Sequence, residues 1–173
     1  MRAFVNPAVR PAAVAAPSSD AAVFHAALPG YRLTPVQGLP AAATELGLGA
    51  VALKDESDRL GLPAFKVLGA SWAVEHALRE QPGVKTLIAA SAGNHGRAVA
   101  HVAAQRGLGC RVYLPARSAA ARREAIVAEG AEIVVVDGTY EDAVARAADD
   151  AKRHSDAIEI GRASCRERVL LGV

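Results

Sequence analysis

From Ala64 onward the chain alternates short apolar runs with stretches of helical period. The pattern predicts a helix from Ala64 to about Arg79, a strand Thr86 to Ala90, and a helix to about Arg106. A strand Cys110 to Leu114, a helix Ser118 to Glu129, a strand Ala131 to Val136 and a helix Tyr140 to about Arg153 follow. Buried strands separated by helices describe parallel βαβ units, an α/β fold of three layers with a parallel sheet in the middle. Ser118 is a candidate N-cap, and Gly107 and Gly130 stand where helices should stop. Upstream, a turn at Pro29-Gly30 precedes a helical pattern from Pro40 to Leu46, which gives way at Gly47 to an apolar strand, Ala50 to Leu53. Residues 1 to about 23, with Pro7, Pro11 and Pro17 among alanines, are expected to form a mobile arm.

The run Gly47-Leu48-Gly49-Ala50-Val51-Ala52 fits the dinucleotide string G-x-G-x-x-A. That fingerprint needs a strand before it and a helix after it, and here the order is reversed. A helix C-cap accounts for both glycines instead.

Composition adds bounds. The chain has 173 residues, 51% of them hydrophobic and 4% aromatic, enough for one globular domain with an Ala/Val/Leu core. A formal net charge of +2 without a basic block argues against nucleic acid or a membrane surface as partner. Cys110 and Cys165 have no metal-ligand spacing, and the start of the chain shows no signal-peptide run, so a reduced, cytoplasmic setting is expected. His25, His76, His101 and His154 share no spacing that suggests a metal site and read as surface or helix residues.

Candidate chemistry begins at Lys66, which stands in a run of apolar and small residues, Ala64 to Ala70, in a chain with four lysines against sixteen arginines. Lysine can lose its proton when desolvated and attack a carbonyl, which arginine cannot do. Snorkelling to the surface is the plainer use of such a lysine. The second feature is the loop Ser91-Ala92-Gly93-Asn94-His95-Gly96, which follows an apolar run and opens onto a helix. Its glycines permit close backbone approach, and a helix N-terminus favours an anion such as a carboxylate.

Together these segments resemble the fold-type II pyridoxal-phosphate (PLP) enzymes, the tryptophan synthase β-like group, and within it the diaminopropionate ammonia-lyases. The resemblance runs in order through F-H-A-A-L-P-G-Y (Phe24 to Tyr31), T-P-V (Thr34 to Val36), K-D-E-S (Lys54 to Ser57), G-L-P-A-F-K-V-L-G-A and G-N-H-G-R, across residues 24 to 158. It implies a PLP cofactor in Schiff-base linkage to Lys66, which then serves as a base near Cα. It also implies that Asn94 hydrogen-bonds the cofactor's phenolate oxygen, and that Ser91, Gly93 and His95 lie near the substrate carboxylate. A turn role for Asn94 stays open beside this, as does a merely structural role for His95. Lys54 to Ser57 reads as a charged turn that the resemblance places near the active site. The implied parent is a PLP-dependent carbon-nitrogen lyase, homodimeric, that eliminates a β-substituent from a small amino acid to give a 2-oxo acid and ammonia.

Two departures bear on the substrate. Where diaminopropionate ammonia-lyases usually carry an acid that handles the D-isomer's α-proton, this chain has Ala92, which brings the loop nearer to the S-S-G-N-H loop of threonine and serine dehydratases. The glycine-rich run that cradles the PLP phosphate in the resembled family is absent from the 173 residues. A hydroxy-amino-acid dehydratase is therefore the alternative, and a non-catalytic Rossmann-like binding domain the reading from another class. The proximity of Lys66 and Asn94 separates the last from the first two. The final fifteen residues, E-I-G-R-A-S-C-R-E-R-V-L-L-G-V, break the pattern. Glu159 to Val169 match the translation of a sequencing-library adapter, so 159–173 are expected to be a foreign tail on a truncated, inactive fragment.

Overall fold

In the computed structural model, which describes residues 19–161, the chain enters as helix α1 (Ser19–Ala26). Residues 19 to 23 are thus helical, not part of a loose arm, because Ala21 is buried and the Phe24 ring packs 5.1 Å from that of Trp72. Residues 1–18 lie outside the described residues. Strand β1 (Val36–Gly38), helix α2 (Pro40–Leu46) and strand β2 (Ala52–Lys54) follow, the two strands pairing antiparallel. Gly47 caps α2 in the left-handed region, at φ 64°. Gly49 has no such conformation, so only the first glycine of that pair is a cap.

The main unit then alternates as the pattern predicts: α3 (Lys66–Glu80), β3 (Thr86–Ala90), α4 (Asn94–Gln105), β4 (Gly109–Pro115), α5 (Ala120–Val127), β5 (Glu132–Val136) and α6 (Tyr140–Arg153). A further strand, β6 (Ala157–Glu159), completes a four-stranded sheet of order β5-β4-β3-β6, in which every pair is parallel. Side chains alternate across β3. Leu87 and Ala89 belong to one apolar core with α3 and α4, while Ile88 and Ala90 belong to a second with Ala143 and Ala147 of α6. Helices therefore cover both faces, which is the three-layer α/β arrangement.

Three expectations are corrected. The N-cap of α5 is Ala119, not Ser118, and no side chain caps that helix. The sequence reading ends its elements near Arg153, whereas β6 lies beyond, and Ile160 is buried with its N–H 2.7 Å from the Ile88 carbonyl. Glu159 and Ile160, read as the start of a foreign tail, are thus integral to the sheet. Residues 162–173 fall outside the described residues.

Helix α6 shows how local chemistry sets a boundary. Thr139 Oγ1 accepts from the Asp142 N–H at 3.2 Å, and Asp142 accepts from the Thr139 N–H at 2.7 Å, a reciprocal capping box. Thr139→Ala is expected to cost about 1 kcal/mol of stability, read as a lowered denaturant midpoint. An unchanged midpoint would show that the box contributes nothing beyond what water supplies.

Candidate active site

The site assembles at the carboxyl edge of the strands, where parallel connectivity places helix starts. β3 ends at Ala90, and the chain turns through Ser91 to Gly93 into α4. α3 lies against α4, and its last turn leads through 81–85 to the amino end of β3. Glu75 of α3 meets Arg106, just past the end of α4, at 2.7 Å. The two helices therefore run in the same sense, and their first residues, Lys66 and Asn94, lie at the same edge.

The turn itself is tightly built. The Ser91 N–H extends the ladder to the Tyr113 carbonyl at 3.1 Å, and Ser91 Oγ, buried, accepts from the Gly93 N–H at 3.2 Å. Gly93 is the N-cap residue in extended conformation, and no side chain caps α4. The start of the helix, without such a cap, directs backbone N–H donors toward an anion. Gly96 is required sterically: a Cβ there would stand 2.4 Å from the Ser91 carbonyl oxygen and 3.0 Å from Val112 Cγ1.

Asn94 is exposed at the start of α4. With Gly93 it lines a concavity of about 400 Å³ whose far wall is α5, including Arg122 and Ala125. Lys66, Ser91 and His95 are not in that wall. Lys66 is half-buried, with Nζ 4.8 Å from the centre of the Phe65 ring. That ring, itself 55% exposed, provides only part of the apolar setting expected around the lysine. His95 points inward: its ring is buried and Nε2 donates to the Ile160 carbonyl at 2.8 Å. Any contact of His95 with a ligand on the loop would come from its backbone N–H.

Lys54 to Ser57 is more than a charged turn. Arg59, 5% exposed, places Nε and Nη2 on the two Glu56 oxygens, each at 2.7 Å, in a bidentate pair. The same guanidinium donates to Thr34 Oγ1 and the Arg32 carbonyl and lies 5.6 Å over the Tyr31 ring, while Lys54 donates to the Thr34 carbonyl. This network joins two of the resemblance-bearing segments, 31–36 and 54–57. Neither Arg59 nor Thr34 stands out in the sequence as its centre; the only available signal was the i, i+3 spacing of Glu56 and Arg59.

The hydrogen bonds from Arg59 hold the Glu56 carboxyl at about 2, well below its ordinary 4.5. A depressed carboxylate stabilises the fold fully above its unfolded value and stops doing so as pH falls through the folded one. Glu56→Gln is therefore expected to lower the denaturant midpoint near neutrality, with the deficit shrinking between about pH 4.5 and pH 2. A pH-independent deficit would locate the effect elsewhere.

Of the remaining histidines, His25, His101 and His154 have hydrogen-bonding partners, whereas His76 packs its ring 4.3 Å from that of Trp72 with Nε2 buried and unpaired. His101 bridges Glu129 at 2.8 Å and the Leu60 carbonyl at 3.1 Å, and His25 meets the Leu68 carbonyl at 2.8 Å. Among the described residues no group of His, Cys, Asp or Glu could hold a metal ion, and no helix is long and apolar enough to cross a membrane. Burial pushes the Cys110 thiol up to about 12, which removes it as a nucleophile.

The family model described as pyridoxal-phosphate dependent enzyme matches residues 27–169. The chain belongs to this family. It is 40% identical over 142 residues to the diaminopropionate ammonia-lyase of Salmonella typhimurium, covering 70% of this chain and 35% of that one. It is 33% identical over 123 residues to the biosynthetic L-threonine dehydratase of Corynebacterium glutamicum, covering 69% and 28%. The crystal structure of Escherichia coli diaminopropionate ammonia lyase with an aminoacrylate-PLP azomethine reaction intermediate superposes with a TM-score of 0.75 at 36% identity, covering 82% of this chain and 39% of that one. The chain thus spans about a third of the length of the curated relatives it matches.

The cofactor of the family is pyridoxal 5'-phosphate, and the residues present suit one end of it. Lys66 offers an amine for an aldehyde, Asn94 an exposed amide donor for a ring oxygen, and the uncapped start of α4 a set of N–H donors for a carboxylate.

Proposed function

We propose that the full-length protein is a cytoplasmic, homodimeric ammonia-lyase that eliminates the β-amino group of a small amino acid of the 2,3-diaminopropionate kind. The observation that carries this reading is the 40% identity to a diaminopropionate ammonia-lyase, against 33% to a threonine dehydratase. Bound pyridoxal phosphate supplies the electron sink for the pair left at Cα. Lys66 holds the cofactor covalently, and its freed amine takes the α-proton. Asn94 orients the ring through its amide, while Ser91, Gly93 and the His95 backbone N–H receive the carboxylate. The Cβ–N bond breaks, ammonia departs with its electron pair, and the enamine product hydrolyses to a 2-oxo acid and a second ammonia.

The test is direct. Purified full-length protein is offered 2,3-diaminopropionate, serine and threonine, and 2-oxo acid is measured. The expected result is the highest kcat/KM on diaminopropionate. Preference for serine or threonine would transfer the protein to the dehydratases, the second reading, which Ala92 favours. Absence of both turnover and retained cofactor would support a non-catalytic binding domain, a reading that family membership and the shared edge of Lys66 and Asn94 oppose.

Ala92 carries a stereochemical prediction. Half-buried and packed against the core beneath the loop, it offers no carboxylate to the face opposite Lys66. The full-length enzyme is expected to process L-amino acids and to be slower on the D-isomer by about 10²-fold, the lower range of a missing general base. Ala92→Asp should raise D-isomer activity. Equal initial rates on both enantiomers in the unmodified enzyme would dispose of the single-base model.

A further inference from the structure

We propose that His25 is a positioning residue for Lys66: its ring N–H holds the carbonyl of Leu68 and so fixes the first turn of the helix that the lysine begins. The inference rests on Lys66 being the cofactor lysine. α3 starts without a side-chain cap, and its N-cap residue, Phe65, is already in helical conformation. An uncapped first turn has unsatisfied N–H groups and is the part of a helix that opens most easily. Such opening would scatter the Lys66 amine.

Two side chains converge on the Leu68 carbonyl, two residues past the lysine: Ser71 Oγ at 2.9 Å and His25 Nε2 at 2.8 Å. Ser71 belongs to the same helix and cannot tie the turn to anything else. His25 comes from α1, 43 residues earlier, and is the tether. α1 is in turn locked onto α3, with the Phe24 ring 5.1 Å and the His25 ring 6.4 Å from that of Trp72, which is 4% exposed. A carbonyl partner demands a proton on Nε2, and burial, the main influence, holds the ring below its usual pKa of 6.5. The neutral tautomer that donates to Leu68 is therefore the state present at neutral pH.

The test compares His25→Gln, whose amide can donate to the same carbonyl, with His25→Leu, which fills the space beside Trp72 without a donor, both in the full-length holoenzyme. Amide hydrogen exchange over residues 67–70 is read without substrate. Turnover supplies kcat and KM, and borohydride followed by peptide mapping gives the fraction of cofactor trapped on Lys66. The Leu variant should exchange faster in this turn by roughly tenfold, with kcat lower by about tenfold and KM within about twofold, since misplacement by an ångström can cost about 10² in rate. The Gln variant should restore both. Equal exchange and equal kcat in the two variants, including a shared failure to fold, would overturn the assignment. A wrong substrate class leaves exchange and trapping readable, whereas a label on another lysine would sink the Lys66 assignment beneath it.

Discussion

Replacement of Lys66 by alanine in the full-length protein is expected to abolish retained cofactor and turnover together. Lys66 opens α3 at the carboxyl edge of the sheet, beside the helix that opens with Asn94. The chain's other lysines lie elsewhere. Lys54 is engaged by the Thr34 carbonyl, Lys85 sits at the opposite, amino edge where its N–H meets the Asp156 carbonyl at 2.7 Å, and Lys152 closes α6. None of them has the geometry to substitute. In the proposed mechanism, loss of the covalent link would remove both the anchor and the base, and a positioned base alone contributes about 10² to 10⁴-fold. Borohydride reduction of the unmodified holoenzyme should place the label on the peptide containing Lys66. A label on Lys54 or Lys85, or full activity in the alanine variant, would refute the assignment.

Gly96→Ala is expected to be among the most destabilising single methyl additions in the chain. The new Cβ would meet the Ser91 carbonyl at 2.4 Å, and that carbonyl cannot swing aside freely, because the Ser91 N–H is held by Tyr113 at 3.1 Å. Val112, on the other side, is fully buried in β4. Overpacking of this kind costs about 3 kcal/mol, and it would displace the loop that presents Asn94. Gly93→Ala is the control. Nothing lies within 4 Å of a Cβ at that position and its backbone is extended, so its denaturant midpoint should move little. If the two alanine variants unfold at the same midpoint, the close approach at Gly96 does not matter to the fold.

Much of this architecture is legible in the chain because its elements announce themselves locally. Thr86 to Ala90 is an apolar run too short for a helix, and Tyr140 to Arg153 has a helical period with acidic residues in its first turn and basic ones in its last; both have the predicted bounds. The boundary of α2 at Gly47 follows from a positive φ that glycine adopts without strain. β6 was not legible. Three residues carry no usable period, and Ala157–Glu159 is a strand only because β3 has an open edge. The candidate site divides the same way. Lys66 and the 91–96 loop stand out by residue type, whereas the inward turn of His95, the tether from His25 and the bond from Arg59 to Thr34 depend on residues far apart in sequence.

The bond between His95 and the Ile160 carbonyl spans 65 residues, which has a consequence for the order of events during synthesis. The loop that presents Asn94 emerges from the ribosome long before this partner does. At about 5–20 residues per second the interval is roughly 3 to 13 s, far longer than a helix or a short loop takes to form. During that interval β3 exposes an apolar edge that a neighbouring nascent chain can occupy. Arrival of Ala157 to Ile160 closes that edge and supplies the acceptor for His95 in the same event, so this bond of the loop and this pairing of the sheet form together.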